Sequence, residues 1–317
     1  MYPRLAVIIV NYNAGNLLSA CIRSVLAAWP AGFDGEILVV DNASTDGSGE
    51  QAAAQYGQVR LVRLEANLGF GAAGNYGLKL VPADFALLLN PDTEVHPGAI
   101  DRLLDTLGRH PEAALVGPRL VYPDGRLQHS AFRFPDLVQV AVDLFPDLLG
   151  RLYESPLNGR YPVGFYRQPR PFRADFVLGA CMLGRYEALA GVGFFDADFF
   201  MYCEEVDLAF RLRRAGWEVL CEPRAVVVHH GGATTGKVRT EAFLWLWESR
   251  LKLFDRYYPP PFRAAVKLLL RLAPAEPQEP GRGLRSGPNS SGDWADGLPG
   301  YGGSTDFERG RTPARMP

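Results

Sequence analysis

The stretch Leu5-Ala6-Val7-Ile8-Ile9-Val10, which runs into Asn11-Tyr12-Asn13, decides the fold of this chain. A continuous apolar run rich in valine and isoleucine is typical of a strand that is buried on both faces of a parallel sheet. An amphipathic pattern over residues 16–28 follows directly and predicts a helix. The strand and the helix together indicate the repeating unit of an α/β protein.

The same alternation continues through the first third of the chain. It predicts strands at 36–40, 59–64 and 84–89 and helices at 44–56, 71–80 and 97–109. Such an alternation predicts a Rossmann-like, mostly parallel sheet flanked by helices. Ligands bind beyond the carboxyl ends of these strands, so the polar residues placed there are the first site candidates: Asn11, Asp41, Asn67 and Asp92.

The remainder of the chain is less regular. Residues 121–173 are rich in proline, arginine and aromatic residues, which predicts long loops and a short helix over the site. Beyond them the sequence predicts strands at 176–183, 217–221 and 225–228, helices at 185–190 and 204–215, and a basic, aromatic helical extension at 241–273. Residues 274–317 are rich in proline, glycine and serine without periodicity, which predicts a disordered tail.

Composition and charge exclude several classes of protein. The 317 residues are 47% hydrophobic and 21% charged, as in ordinary globular proteins, and the net charge of -2 argues against nucleic-acid binding. The four cysteines are widely spaced and indicate reduced core thiols rather than zinc ligands or disulfides: Cys21, Cys181, Cys203 and Cys221. The first residues lack the pattern of a signal peptide, and no run approaches the roughly 20 apolar residues of a membrane span. We therefore expect a soluble, cytoplasmic protein.

The segment Gly69-Phe70-Gly71-Ala72-Ala73-Gly74 matches the G-x-G-x-x-G fingerprint of dinucleotide-binding proteins. The match follows the third predicted strand rather than the first, and the first strand ends without the glycine spacing that a pyrophosphate turn needs. A dehydrogenase is therefore disfavoured. We interpret the glycines as positions where the backbone passes close to a ligand or to a neighbouring strand.

An acidic run, Cys203-Glu204-Glu205-Val206-Asp207, follows the aromatic residues Phe199 and Phe200 and opens a predicted helix. Crowded carboxylates repel one another unless a cation or a proton relieves them. The helix dipole alone explains acidic residues in a first turn. A site that transfers protons or binds a metal is the alternative.

Together these segments resemble the family 2 glycosyltransferases, inverting enzymes of the GT-A fold, and within them the rhamnosyltransferase-like branch. The motifs that carry the resemblance appear in the family's order: VIIVNYN at 7–13, VVDNASTDGS at 39–48, NLGFGAAGN at 67–75, LLNPDT at 88–93, LGACML at 178–183, the acidic run, and HHGGAT at 229–234. The resemblance implies a GT-A domain over 1–240, with a nucleotide-sugar half at about 1–120 and an acceptor half at about 121–240.

The resemblance also implies a site for a nucleotide-diphosphate sugar and a divalent ion, Mg²⁺ or Mn²⁺. Asp92 matches the last residue of the family's Asp-x-Asp metal motif, and His229 matches a histidine that helps to hold the metal, with His230 as the alternative. Such an ion neutralises the charge that develops on the leaving diphosphate. The donor contacts implied by the resemblance are Asn11, Asn13, Asp41, Asn67, Asn75 and Asn90, of which Asn90 replaces the first acid of the metal motif.

The catalytic and acceptor residues follow from the same resemblance. Glu205 matches the catalytic base, as the second acid of the family's Glu-Asp pair, and Glu204 is the alternative. In an inverting displacement a carboxylate takes the proton of the acceptor hydroxyl as that oxygen attacks the anomeric carbon. Gly179 and Ala180 match a small-residue turn below the acceptor, for which tight core packing is the alternative. Asp207 is interpreted as a structural or acceptor-orienting acid.

The resulting hypothesis is an inverting, metal-dependent glycosyltransferase of surface or cell-wall polysaccharide synthesis. Its donor is a dTDP- or UDP-linked sugar, with rhamnose suggested by the subfamily resemblance, and its acceptor is a glycan or a lipid-linked sugar. A noncatalytic nucleotide-sugar-binding protein with a degenerate site is the alternative. The segment 241–273 has two interpretations: peripheral contact with the inner face of the plasma membrane, or a helix packed on the catalytic domain.

Overall fold

The computed structural model describes residues 2–231 and 239–273, in which strands and helices alternate along the first half of the chain as predicted. The strands are β1 (Arg4–Asn11), β2 (Asp34–Asp41), β3 (Val59–Arg63), β4 (Phe85–Leu89), β5 (Thr93–Val95), β6 (Ala113–Val121), β7 (Leu127–Gln128), β8 (Ala131–Phe132), β9 (Phe172–Ala174), β10 (Phe176–Val177), β11 (Cys181–Arg185) and β12 (Glu218–His229). The helices are α1 (Asn16–Ala27), α2 (Ser48–Gln55), α3 (Phe70–Leu80), α4 (Ala99–Arg109), α5 (Leu137–Leu144), α6 (Pro146–Leu149), α7 (Val163–Arg167), α8 (Tyr186–Gly191), α9 (Glu204–Arg214), α10 (Arg239–Tyr257) and α11 (Pro260–Leu272).

The main sheet runs in the order β3-β2-β1-β4-β11-β6-β12-β5. Strands β3, β2, β1 and β4 are parallel, and β1 pairs in register so that Asn11 lies opposite Asp41. The antiparallel strand β11 joins this half to the parallel pair formed by β6 and β12. At the far edge β5 pairs antiparallel with β12, which sets Thr93 opposite His229. The carboxyl ends of β1, β2 and β12 therefore carry the candidate polar residues.

The core lies on both faces of the sheet, as the apolar run of β1 predicts. Leu5, Val7 and Ile9 pack on the face covered by α1 and α4, and the intervening residues Ala6 and Ile8 pack on the face covered by α3 and α9. All five side chains are completely buried. Because neighbouring strand residues point to opposite faces, only a sheet covered on both sides explains such a run.

Several boundaries differ from the prediction. Strand β6 was missed; its run is interrupted by Gly117-Pro118, which weakens the strand pattern. The strand predicted at 176–183 is broken at 178–180 into β10 and β11, and the two strands predicted at 217–228 form the single strand β12 with a register shift after Glu222. Residues 121–173 contain several short helices and strands rather than one short helix.

The C-terminal extension forms two helices rather than one, because Pro259 and Pro260 separate α10 from α11. Trp247, Leu253 and Phe254 of α10 are buried in a third apolar cluster with Val140 of α5 and Val266 of α11. The interpretation of this segment as helices packed on the catalytic domain is thus supported. No helix within the described ranges is both long and apolar enough to cross a bilayer. The predicted tail, 274–317, lies outside the described residues.

Candidate active site

Asn11, at the end of β1, holds the loop that follows β2. Its Nδ2 donates to Asp41 Oδ1 at 2.7 Å, Ser48 Oγ at 2.9 Å and Ser44 Oγ at 3.1 Å. The side chains of Asn11 and Asp41 are buried, and Asp41 Oδ2 also accepts from the backbone N–H of Ser44. These bonds explain why α2 begins at Ser48 rather than at the predicted Ser44, since the intervening residues fold around Asn11. Both residues thus shape the floor of the site.

Asn13 lies higher in the same loop, with a positive φ of 51°. Its Oδ1 accepts from the backbone N–H of Thr45 at 2.8 Å, and its own N–H donates to Ser44 Oγ at 3.0 Å. Asparagine tolerates this left-handed conformation better than most residues. Asn13 is half-buried and lies nearer the surface than Asn11, which suits a contact with a donor.

The glycine-rich segment is held by an asparagine that the sequence analysis did not select. Asn42 Nδ2 donates to Asn67 Oδ1 at 2.8 Å, and Asn42 Oδ1 accepts from the N–H of Leu68. Asn67 Oδ1 also accepts from the N–H of Gly69, so the side chain of Asn67 is engaged in its own loop. The sequence did contain a signal that could have identified Asn42, because it directly follows Asp41 in the VVDN motif.

The glycines of the apparent dinucleotide fingerprint are explained by close packing. A side-chain carbon on Gly69, which has a φ of 83°, would lie 1.9 Å from the carbonyl oxygen of Phe200. A carbon on Gly71 would lie 3.1 Å from Phe195, and a carbon on Gly74 would lie 3.3 Å from Leu88 of β4. Helix α3 therefore lies directly on the sheet and on the loop before α9. This agrees with the interpretation that the glycines let the backbone pass close to a neighbouring strand.

Asn75 lies on α3 and fastens this helix to the loop that precedes α9. Its Nδ2 donates to the carbonyl of Phe195 at 2.7 Å, and its Oδ1 accepts from the N–H of Phe195 at 2.9 Å. The amide is therefore satisfied within the protein, which gives it a structural role in this state. Asn90 is partly buried at the end of β4, where its N–H donates to the carbonyl of Ala180.

Asp92 and His229 meet where β5 pairs with β12. His229 Nε2 lies 3.4 Å from Asp92 Oδ1, and both side chains are nearly buried. His229 Nδ1 lies 3.0 Å from Gln128 Oε1. The adjacent His230 points elsewhere and lies 2.9 Å from Glu94. The structure therefore brings the side chain of His229, and not that of His230, to the carboxylate of Asp92.

The chemistry of this pair fits a divalent ion. If Nδ1 of His229 donates to Gln128 Oε1, the lone pair of Nε2 faces Asp92. A hydrogen bond from the other ring nitrogen is what orients a histidine that binds a metal ion. No group of three or more His, Cys, Asp or Glu residues suited to a metal occurs in residues 2–231 and 239–273. Mg²⁺ and Mn²⁺ sites with few protein ligands are completed by substrate phosphates and water. Gln128 was not selected from the sequence, and no motif pointed to it.

Glu204 and Glu205 open α9 but face different neighbours. A side-chain carbon on Gly71 would lie 3.4 Å from Glu204 Cβ, and one on Gly179 would lie 4.0 Å from Glu205 Cβ. Glu204 therefore lies against the start of α3, whereas Glu205 lies beside the turn predicted to carry the acceptor. Tyr202 and Cys203, directly before them, both have a φ near 65°. Two consecutive non-glycine residues in this region are strained, and such strain concentrates at functional sites.

The two carboxyl groups share a poorly solvated environment. Burial raises the pKa of Glu205 to about 7, well above its ordinary value of 4.5. Burial and the neighbouring Glu205 also raise the pKa of Glu204 well above its ordinary value. One carboxyl oxygen of each residue is buried without a hydrogen-bond partner. A carboxyl group poised near neutral pH, with one oxygen free of a hydrogen-bond partner, is suited to general-base catalysis.

Helix α10 holds the strained loop in place. Ser249 Oγ donates to the carbonyl of Met201 at 2.7 Å, and the ring of Phe200 packs against Trp245 at 5.3 Å. Asp207, completely buried in α9, accepts from Tyr257 Oη and Arg211 Nε, each at 2.7 Å. Asp207 thus joins α9 to α10. This contact supports the interpretation of Asp207 as a structural acid rather than as one that orients the acceptor. Ser249 was not selected because its role depends on tertiary packing.

The turn at Leu178, Gly179 and Ala180 connects these parts. Ala180 is buried in the core, and its carbonyl accepts from Asn90 N–H at 2.9 Å. At Gly179 a side-chain carbon would meet only ordinary contacts, the nearest at 3.9 Å from Phe70. Tight packing therefore explains Ala180 but not Gly179, beside which Glu205 lies.

Comparisons with known proteins agree with this architecture. Residues 6–190 match the family model described as Glycosyl transferase family 2. The chain is 35% identical over 249 residues to the N-acetylglucosaminyl-diphospho-decaprenol L-rhamnosyltransferase of Mycobacterium tuberculosis, which covers 74% of this chain and 78% of that protein.

Two solved structures have a similar fold. The mannosyltransferase PcManGT from Pyrobaculum calidifontis, in complex with GDP-Man and Mn²⁺, gives a TM-score of 0.55 at 17% identity over 84% of this chain and 69% of that one. The Staphylococcus aureus TarS fragment 1-349 gives a TM-score of 0.53 at 16% identity, with the same coverage. The predicted GT-A fold is confirmed. Because the family model spans over half of the chain and the mycobacterial relative spans most of it, the chain belongs to glycosyl transferase family 2 and resembles its rhamnosyltransferases.

Proposed function

We propose that this glycosyltransferase transfers rhamnose, with inversion, from a nucleotide-diphosphate donor to a lipid-linked N-acetylglucosamine. The observation that carries the catalytic part is the position of Glu205, a buried carboxyl group with a pKa of about 7 beside Gly179. The substrate classes are suggested by the mycobacterial relative, whose name gives both the sugar and the acceptor.

Glu205 acts as the base in a single displacement. It takes the proton of the acceptor hydroxyl as the hydroxyl oxygen forms the new bond to the anomeric carbon and the bond to the diphosphate breaks. Inversion requires the attack to come from the face opposite the leaving group. Gly179 leaves room for the acceptor next to the carboxylate, and the strained loop holds Glu205 in position.

Asp92 and His229 would hold the divalent ion on the donor side, with Gln128 orienting the imidazole ring. When bound, the ion offsets the negative charge that develops on the departing diphosphate. The carbonyl of Ala180 accepts a hydrogen bond from Asn90, so the turn beside Glu205 is joined directly to the Asn-Pro-Asp segment. This connection places the turn beside Glu205 next to the segment that carries Asp92.

Asn11, Asp41 and Asn13 form the floor and rim of the nucleotide site. Asn11 and Asp41 position the loop from beneath, and Asn13 and Asn90, which are half-buried, offer amides to the donor. The dTDP- or UDP-linked form of the donor is part of the proposal. Calorimetric titration with dTDP, UDP and GDP, each with and without Mn²⁺, tests it. Tight binding of GDP alone would reject the assignment of the nucleotide.

Contact with a membrane surface is the part of the proposal that concerns the acceptor's lipid. On α11 the side chains of Leu268 and Leu272 are 57% and 63% exposed, four residues apart and therefore on one face. Lys267 and Arg271 lie beside them, a pattern suited to an anionic interface. Removal of α10 and α11 would expose the third cluster, so point variants are the better probe.

Co-sedimentation with phosphatidylglycerol vesicles tests this contact in the full chain. We expect the double variant Leu268→Ser, Leu272→Ser to pellet less than the wild type, because it loses apolar area at the interface. The matched variant Leu244→Ser changes a leucine of similar exposure on α10. Equal pelleting of all three proteins would reject the membrane contact and leave the transferase site unaffected.

The experiment that tests the function is a transfer assay. The full chain is incubated with dTDP-rhamnose or UDP-rhamnose, Mn²⁺ and a short-chain isoprenyl-diphosphate N-acetylglucosamine, and the product is identified by mass spectrometry. We expect a mass increase of one deoxyhexose. Donor binding without transfer and without slow hydrolysis of the donor would instead favour the noncatalytic alternative.

A further inference from the structure

A polar cavity of about 450 Å³ lies next to Asp92 and His229. Of the site residues discussed so far, Gln128 and Leu178 line it. We name it the β7 cavity, after the strand on one of its walls; its principal lining residues are Tyr122, Gln128, His129, Phe132, Glu154 and Arg160. Gln128 also contacts His229, and Leu178, which precedes Gly179, lines the cavity as well. The cavity therefore lies beside two parts of the site: the turn at Leu178 and Gly179, and the pair formed by Asp92 and His229. Its volume suits a small ligand such as one sugar ring.

Two polar nitrogen atoms in its wall make no hydrogen bond. His129 Nδ1 and Arg160 Nε are buried and make no hydrogen bond, and the side chain of His129 is only 9% exposed. Buried polar groups are almost always paired in folded proteins, because an unpaired group loses its hydration without compensation. His129 Nδ1 is therefore available to a ligand that carries hydroxyl or carbonyl groups. Arg160 Nε faces Glu154 Oε2 in an ion pair at 3.3 Å and can donate its hydrogen bond to the same ligand.

The charges of the cavity balance one another. Arg160 Nε lies 3.3 Å from Glu154 Oε2, and Arg126 Nε lies 2.6 Å from Asp124 Oδ2. Burial lowers the pKa of His129, so its ring is neutral at pH 7. A phosphate would find no surplus positive charge here, whereas an uncharged, hydroxyl-rich ligand would find donors, acceptors and aromatic faces. The rings of Tyr122 and Phe132 can cover the C–H face of a sugar.

We propose that the β7 cavity binds the saccharide of the acceptor and that His129 and Arg160 are its specificity-determining hydrogen-bonding residues. This inference rests on the proposed function, because it takes N-acetylglucosamine as the acceptor sugar. It places the sugar on the Gln128 side of the turn, from which a hydroxyl reaches Glu205 past Gly179. His129 and Arg160 act by binding and not by chemistry at the reacting bond.

Two variants remove the nitrogen atoms that make no hydrogen bond, with little change in the shape of the side chains. His129→Phe keeps the edge-to-face contact with Tyr166, whose ring lies 5.5 Å away. Because Nδ1 has no partner in the free protein, its loss leaves the melting temperature unchanged or raises it. Arg160→Lys keeps the charge beside Glu154 and removes the Nε donor. The control His110→Phe changes a histidine that contacts Glu112 outside the cavity.

The test uses the full chain and free N-acetylglucosamine, observed by saturation-transfer NMR, together with steady-state kinetics. We expect the wild type and His110→Phe to bind the sugar equally. His129→Phe and Arg160→Lys are expected to bind it about 10-fold more weakly, the usual effect of one lost hydrogen bond. The KM for the lipid-linked acceptor should rise by a similar factor, with the donor KM and slow donor hydrolysis unchanged.

The outcomes separate this inference from the proposed function. Wild-type affinity and acceptor KM in both cavity variants would overturn the assignment of the β7 cavity while rhamnosyl transfer continued. Absence of sugar binding by the wild type would overturn it as well. Loss of N-acetylglucosamine binding in the cavity variants, in a protein that transfers no rhamnose, would support the cavity and reject the proposed donor.

Discussion

Replacement of Glu205 by glutamine separates the catalytic role of this residue from its effect on stability. Glutamine keeps the shape of the side chain but cannot accept the proton of the acceptor hydroxyl. The loss of a general base lowers the rate by about 10²- to 10⁴-fold, which corresponds to roughly 3–5 kcal/mol of transition-state stabilisation. The rate of rhamnosyl transfer at saturating donor and acceptor measures this change.

The same substitution should make the protein more stable above pH 7. Because the pKa of Glu205 is raised from 4.5 to about 7, the folded state prefers the protonated carboxyl. Its contribution to stability is fully present below pH 4.5 and is lost as the pH rises through about 7. The lost contribution is at most about 3 kcal/mol. Urea unfolding at pH 8 should therefore show Glu205→Gln to be more stable than the wild type, with the difference vanishing near pH 4.

The matched control is Glu204→Gln, which changes the neighbouring carboxyl group against Gly71. We expect it to retain more activity than Glu205→Gln, although the two groups interact and titrate as a pair. For the wild type, kcat/KM should rise with pH through about 7, because the base must be ionised. A Glu205→Gln protein with near wild-type transfer, alongside an inactive Glu204→Gln protein, would refute the assignment of the base.

Three further substitutions test the donor site, the loop and the network beneath α9. Asp92→Ala should weaken Mn²⁺-dependent binding of the nucleoside diphosphate on the order of 10²-fold, measured by calorimetry; undiminished binding would contradict its metal role. Gly69→Ala should destabilise the protein by at least about 2 kcal/mol and lower the transfer rate, because the added carbon would clash with Phe200. The control Gly57→Ala places its carbon in open space and should change stability by less than about 0.5 kcal/mol. Asp207→Ala should cost about 3 kcal/mol in urea unfolding, because it leaves Arg211 without its buried partner; a cost below about 1 kcal/mol would show that the network is not structural.

The parallel half of the sheet was predictable because its strands are short, apolar and followed by amphipathic helices. Strand β1, with the alternating burial of Leu5 and Ala6, is the clearest example. Strand β6 was not recognised because Gly117 and Pro118 interrupt it, although Gly117 is required there: a side-chain carbon would lie 2.8 Å from Val177. This requirement comes from a contact with a residue sixty positions away in the sequence. A local sequence pattern cannot reveal such a contact.

The site was predictable where motifs mark it and not where tertiary packing builds it. The family resemblance identified Asp92, His229 and Glu205, and the structure places the first two in contact. It did not reveal Gln128 behind His229, or Ser249 holding the loop before Glu205, because each acts through a partner far away in the sequence. Asn75 and Asn67 were candidates for the donor, yet both amide atoms of Asn75 are bonded to Phe195, and Oδ1 of Asn67 accepts from Asn42 and from the N–H of Gly69.

The most direct test of the central claim is the anomeric configuration of the transferred sugar. The full chain is supplied with Mn²⁺, a rhamnosyl donor of defined configuration and the lipid-linked N-acetylglucosamine, and the product is analysed by proton NMR before and after replacement of Glu205. The account predicts a single product with the configuration opposite to that of the donor, formed by the wild type and nearly absent with Glu205→Gln. A product that retains the donor's configuration would contradict direct displacement with Glu205 as the base.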